Sequence, residues 1–153
     1  MSEAIEPASA PPPEISIVST LYRSRAFLEP FLAGCVAALE KIPCANFEIV
    51  LINDGSPDES LAYAVERKKD IPQLVVVDLS RNFGHHNAIQ AGLQISRGAL
   101  VFLIDCDLEV APSVLVEFYN KQRQSGSDLV YGYHSIPSGN KAIAIPWTPI
   151  SKQ

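Results

Sequence analysis

Ala99-Leu100-Val101-Phe102-Leu103-Ile104-Asp105-Cys106-Asp107-Leu108-Glu109 is the stretch on which the fold turns. An apolar run enters two carboxylates one residue apart, and a third acid follows two positions on. Bounded by Gly98 and Pro112, such a run reads as a strand buried on both faces, the kind found in parallel sheets covered by helices. Side chains alternate along a strand, so Asp105 and Asp107 share one side while Cys106 points to the other. Carboxylates beside a dry core are costly unless a cation or hydrogen bonds compensate them. Asp-x-Asp at the carboxyl end of a buried strand therefore suggests an oxygen-ligand site for a hard divalent metal. A polar strand end with two solvated acids is the competing reading.

Working outward, Ile15–Thr20 alternates and is rich in β-branched residues, which predicts a first strand, and a helix follows to about Lys41. Pro30 falls near the start of that helix, where proline is tolerated; Phe27, Phe31 and Leu32 are assigned to core packing. Phe47–Ile52 predicts a second strand, ending at Asn53-Asp54-Gly55-Ser56. Ser56, Pro57 and Glu59 then form a helix-start signature, with Ser56 and Glu59 as a capping box. Asp54-Gly55-Ser56 also has a purely structural reading, as a turn and cap. Leu74–Leu79 predicts a third strand. The loop Ser80–His86 precedes a helix from about Asn87 to Ser96, with Gly98 as its left-handed cap. His85 and His86 are adjacent, face different ways, and make poor joint metal ligands. The quoted stretch is the fourth strand, a helix opens at Pro112, and Asp128–Tyr133 predicts a short fifth strand.

Strands alternating with helices imply right-handed βαβ units and a doubly wound, mostly parallel sheet of about five strands with helices on both faces. In the common 3-2-1-4 order, the switch point lies between the first and fourth strands. Thr20 to Tyr22, Asp54, and Asp105 with Asp107 would meet there.

The chain has 153 residues, 47% hydrophobic and 19% charged, enough for one domain with a real core. A net charge of −5 and a pI near 5.1 argue against a nucleic-acid binder. No stretch approaches the length of a membrane helix, and the amino terminus lacks the layout of a secretory signal. Cys35, Cys44 and Cys106 are odd in number and lack zinc-site spacing, which suits a reduced cytoplasmic setting. The expected organisation is a disordered leader over 1–13, one folded domain over 14–133, and an irregular tail over 134–153.

Ile52–Asp58 (Ile-Asn-Asp-Gly-Ser-Pro-Asp), Leu79–Gly84 (Leu-Ser-Arg-Asn-Phe-Gly), Ala91-Gly92-Leu93, Arg97-Gly98 and Asp105–Glu109 (Asp-Cys-Asp-Leu-Glu) stand in an order and spacing that resembles the family 2 glycosyltransferases of GT-A fold. The resemblance is strongest to the dolichyl- and polyprenyl-phosphate sugar synthase branch. It implies a Rossmann-like GT-A domain whose carboxyl-terminal half is missing. It implies an enzyme that uses a nucleotide-diphosphate sugar and Mg2+ or Mn2+ to transfer a hexose, with inversion, to a lipid-phosphate or glycan acceptor. Asp54 then matches the aspartate that bonds the nucleotide base, while Tyr22, Arg81, Asn82 and Asp105 lie near the nucleotide. Asp105, Asp107 and Glu109 match the metal site, Asp107 in the direct-ligand position. Where the family turn usually reads Pro-x-Tyr/Phe-Asn-Glu, this chain has Thr20-Leu21-Tyr22-Arg23-Ser24 and keeps only the aromatic. No catalytic base for the acceptor can be named. The implied location is the cytoplasm, at the cytoplasmic face of a membrane, with peripheral association in a full-length form. Two alternatives stand beside this reading. One is a non-catalytic nucleotide-sugar-binding module; the other, more remote, is an aspartate-nucleophile phosphohydrolase, whose Asp-x-Asp pair normally follows the first strand.

Overall fold

The computed structural model describes residues 11–44 and 46–132. Its strands are β1 (Ile15–Leu21), β2 (Phe47–Asn53), β3 (Leu74–Asp78) and β4 (Leu100–Leu103). They alternate with helices α1 (Arg25–Leu39), α2 (Ser60–Arg67), α3 (His85–Ile95) and α4 (Val114–Ser125). All strand pairs are parallel, in the order β3-β2-β1-β4. The chain walks outward through β2 and β3, then crosses back to lay β4 against the free side of β1. The switch point therefore falls between β1 and β4, as the 3-2-1-4 order requires.

Strand alternation builds two cores. Ile15, Ile17 and Leu21 of β1, with Ile49 and Leu51 of β2, pack under Leu28, Phe31, Leu32 and Cys35 of α1, Ala64 of α2 and Leu115 of α4. On the opposite face Val18, Val50 and Ile52 meet Ala88 of α3. Gly92 lets α3 lie close there, because a Cβ at that position would come within 2.5 Å of Val18 Cγ1. Phe27 differs from the core assignment: its neighbours Phe31 and Leu32 are buried, but Phe27 is 39% exposed.

Several local expectations are corrected. β4 is not buried on both faces. Phe102 and Ile104 point into the core, whereas Val101 and Leu103 are 43% and 45% exposed, because β4 is an edge of the described sheet and α3 packs mainly on β1 and β2 on that side. Residues 128–132 pair with no strand, so the described sheet has four strands and not five; Tyr133 and the tail over 134–153 lie outside the described residues. Of the expected leader, residues 1–10 also lie outside them. The carbonyls of Pro11 and Pro12 accept from Asn46 Nδ2, and that of Pro13 from the Ala99 N–H. Pro30 sits inside α1 rather than at its start. Gly98 does not cap α3, which ends in an extended Ser96. Its role is close approach, since a Cβ there would lie 2.5 Å from the Ser16 backbone nitrogen. The left-handed cap belongs to Gly126, which closes α4 with an N–H bond to the Gln122 carbonyl.

A lock at the amino ends of the strands holds this sheet together. Glu48, 3% exposed, accepts from Ser16 Oγ (2.7 Å), the Arg97 backbone N–H (2.7 Å), and Arg97 Nε (3.1 Å) and Nη2 (2.9 Å). Ser16 Oγ in turn accepts from the Gly98 N–H at 2.8 Å. One carboxylate thus joins β1, β2 and the connection into β4.

Candidate functional site

The carboxyl ends of β1, β2 and β4 carry most of the residues singled out in the sequence. β2 ends in Asn53, whose side-chain amide donates to Asp78 Oδ1 at the end of β3 (2.8 Å). Asp54 follows, 3% exposed, its N–H bonded to the Leu21 carbonyl of β1 at 3.0 Å. Its carboxylate does not cap α2. Oδ1 accepts the Phe83 N–H at 2.7 Å and Oδ2 the Gly84 N–H at 3.1 Å, while Asn82 Nδ2 donates to the Asp54 carbonyl at 3.0 Å. Asp54 therefore folds the loop before α3 onto the sheet. Gly55 makes this contact possible: its φ is +62°, and a Cβ would come within 2.5 Å of the Asn82 nitrogen.

The predicted capping box does not form. Asp58 performs that task, accepting from the Ser56 hydroxyl (2.6 Å), the Ser60 hydroxyl, the Ser60 N–H (3.0 Å) and the Arg25 N–H (3.1 Å). Burial alone would raise the Asp58 carboxyl, but these donors together hold it down, at about 2 against an ordinary 3.8. Glu48 follows the same sign: burial would push it up, and the Arg97 N–H, Ser16 hydroxyl and Arg97 guanidinium hold it below its ordinary value. As pH falls, the unfolded chain takes up these protons first. The stability contributed is full above the unfolded values and is lost as pH drops through the folded ones. The urea midpoint of the parent chain is expected to decline below about pH 4. The gap between the parent and Asp58→Ala should close from about pH 4 toward pH 2; a gap independent of pH contradicts this assignment.

β4 stops at Leu103, so Asp105 and Asp107 lie on the turn beyond it rather than in the strand. The alternation nevertheless persists: Cys106 is buried, donating its S–H to the Thr20 carbonyl, and both aspartates are exposed. Burial pushes the Cys106 thiol up, and that of Cys35 to about 12, so neither is a ready nucleophile. Asp107 Oδ1 accepts the Glu109 N–H at 3.0 Å, which leaves its second oxygen free. Leu108 between them has φ +64°, and Arg23 across the crevice has φ +55°, conformations that β-carbon-bearing residues adopt at a cost of roughly 1 kcal/mol or more. Tyr22 is 49% exposed, with the Arg23 guanidinium 5.6 Å from its ring centre. Arg81 stacks over Phe83 at 4.7 Å.

His85, the first residue of α3, is the group that sequence reasoning passed over. Its Nδ1 lies 3.1 Å from Thr20 Oγ1 and its Nε2 3.7 Å from Asp105 Oδ1. The ring joins the ends of β1 and β4 across the switch point. No local signal distinguishes it from His86.

The oxygen donors at Asp105 and Asp107 suit a hard divalent cation. Among the described residues no three His, Cys, Asp or Glu side chains converge on one point. The expected set of Asp105, Asp107 and Glu109 therefore does not converge as three ligands of one ion. No helix among the described residues is long and apolar enough to cross a membrane.

Comparison with known proteins places this geometry. The family described as "Glycosyl transferase family 2" matches residues 16–144. A Mycobacterium tuberculosis protein bearing a glycosyltransferase name is 45% identical over 125 residues, 82% of this chain and 36% of its own. The undecaprenyl-phosphate 4-deoxy-4-formamido-L-arabinose transferase of Aeromonas hydrophila is 37% identical, over 76% of this chain and 35% of its own. The chain thus spans about a third of the length of these relatives. Among solved structures, TarS 1–349 of S. aureus with UDP has a TM-score of 0.62 at 24% identity, covering 75% of this chain and 33% of TarS. The mannosyltransferase PcManGT of Pyrobaculum calidifontis with GDP-Man and Mn2+ also reaches 0.62, at 18% identity, covering 77% of this chain and 36% of that one. These two share the fold. With a parallel 3-2-1-4 sheet and a family match over residues 16–144, the chain belongs to glycosyl transferase family 2.

Proposed function

We propose that this chain forms the donor-binding part of a metal-dependent glycosyltransferase that takes a nucleotide-diphosphate sugar and passes the sugar, with inversion, to a lipid-phosphate acceptor. The observation that carries the reading is the continuous set of contacts at the switch point, from Asp54 through the Asn82–Gly84 loop and His85 to Asp105. In this reading Asp54 accepts from the nucleotide base with the lone pairs left free by the loop it holds. Tyr22, Arg81 and Asn82 border the nucleoside. Asp107 and Asp105 hold Mg2+ or Mn2+, with Glu109 beside them. A bound divalent cation would neutralise charge growing on the leaving diphosphate. The UDP and the GDP-Man with Mn2+ seen in structures of the same fold support a nucleotide donor and a metal. The undecaprenyl-phosphate transferase among the relatives supports a polyprenyl-phosphate acceptor. The phosphohydrolase alternative falls with the family match.

The test is calorimetry with UDP and GDP sugars, run beside transfer of radiolabelled sugar to polyprenyl phosphate in detergent. Donor binding without transfer by this chain alone is the expected result for a donor-binding part and equally fits a non-catalytic binding module; robust transfer by this chain alone contradicts both. No binding of either nucleotide sugar overturns both. Asp54→Asn is the discriminating variant. Asparagine caps helices as well as aspartate does, but its amide cannot accept both the Phe83 and Gly84 N–H bonds or assist a base with charge. Losing a charge-assisted hydrogen bond of about 1.5 to 3 kcal/mol lowers nucleotide affinity at least about tenfold, with metal or with EDTA. Unchanged affinity contradicts the assignment.

A further inference from the structure

From the contacts of His85 we infer that it is a positioning residue for Asp105, clamped by Thr20, and that it tunes the metal-dependent part of donor binding; this rests on the donor-site reading above. Neutral imidazole carries one N–H and one bare nitrogen. Thr20 Oγ1 sits 3.1 Å from Nδ1, and Asp105 Oδ1 sits 3.7 Å from Nε2. A bare Nε2 facing a carboxylate would set lone pair against lone pair. The arrangement is coherent when the Thr20 hydroxyl donates to Nδ1 and Nε2 carries its proton toward Asp105. At 3.7 Å this is an electrostatic contact, longer than a hydrogen bond. It sets the imidazole beside one oxygen of the carboxylate and leaves the other without a protein contact among the described residues.

The backbone reinforces the clamp. Gly84, next to His85, has φ +91° and gives its N–H to Asp54, so the base-side carboxylate fixes where the imidazole stands. The side chains of His85 and Asp105 are 50% and 59% exposed, so neither is needed to fill the core. His86, one residue on, has no such pair of partners among the described residues, and its ring lies 5.8 Å from that of His85. Sequence alone gives the two histidines equal standing; the fold gives one of them a task.

The experiment measures UDP and GDP affinity in EDTA and in Mn2+ for the 153-residue parent chain and for His85→Ala, His85→Gln and Thr20→Val. It is joined to 15N NMR of the His85 ring. Loss of an outer partner of a metal ligand lowers metal affinity by roughly 10- to 100-fold. His85→Ala should therefore lose about tenfold or more of the gain that Mn2+ confers, read as the ratio of its affinity in Mn2+ to its affinity in EDTA. His85→Gln, which retains a side-chain N–H donor, should recover most of that gain, and Thr20→Val should fall between. The ring should show the Nε2–H tautomer in the parent and lose that preference in Thr20→Val. An unaltered Mn2+ gain in His85→Ala overturns the inference, as does an equal loss in EDTA, which would place His85 on the nucleotide itself. A parent ring in the Nδ1–H tautomer overturns the clamp even where donor binding is intact. A parent that binds neither nucleotide overturns the donor-site reading and this inference with it.

Discussion

Glu48→Ala is expected to destabilise the chain by about 3 kcal/mol, because it strips the buried acceptor from four donors at once. The Ser16 hydroxyl and the Arg97 backbone N–H lose a buried partner, and the removed side chain leaves a void between β1 and β2. For a domain of this size that corresponds to a fall in Tm of roughly 6 to 12 °C. Arg97→Ala removes only the guanidinium, which is 64% exposed and can be replaced by water, and it leaves the backbone N–H bond in place. Its cost should be about 1 kcal/mol. The asymmetry between two partners of one ion pair is the signature, read from parallel thermal melts. Equal losses would mean that the pair acts as a surface salt bridge and that the lock lies elsewhere.

Asp107→Ala is expected to remove nearly all of the gain in nucleoside-diphosphate affinity conferred by Mn2+, more than about a hundredfold, since even an outer partner of a metal ligand contributes 10- to 100-fold. The fold should hardly notice. Asp107 is exposed, and its one local bond, to the Glu109 N–H, is on a turn open to water, so the stability change stays within about 1 kcal/mol. Removing one of two neighbouring carboxylates also relieves repulsion when no metal is bound. Affinity in EDTA should be unchanged. An Mn2+ gain equal to the parent's assigns the ion to other residues.

The alternation of strands and helices is readable from periodicity, while the strand order and the switch point follow from the common 3-2-1-4 arrangement of such units. Ile17 and Val18 must face opposite cores, and each apolar run is separated from the next by a helical pattern. What escaped was set by partners distant in sequence. Local spacing favoured Ser56 and Glu59 as a capping box, but Arg25 and Ser60 offer Asp58 a better set of donors, and Arg23 occupies Ser56 at 2.7 Å. Gly98 looked like a helix cap because glycine after a helix usually is one; the backbone of Ser16, 82 residues away, is the real constraint. The apolar run through Val101 and Leu103 suggested burial on both faces, whereas an edge position leaves those two side chains exposed. At the site, Asp54, Asp105 and Asp107 could be picked from type and spacing. His85 could not, because its significance lies in Thr20, 65 residues earlier, and in Asp105 just beyond the end of β4.

The central claim is that the ion and the diphosphate sit at the end of β4, against the loop that Asp54 holds. Paramagnetic broadening of backbone amide signals by substoichiometric Mn2+, with and without UDP or GDP, tests it most directly. The account predicts that broadening centres on Asp105 to Glu109, reaches His85 and Thr20, and strengthens when nucleotide is added. Broadening centred on another part of the surface, or none that depends on nucleotide, would contradict it.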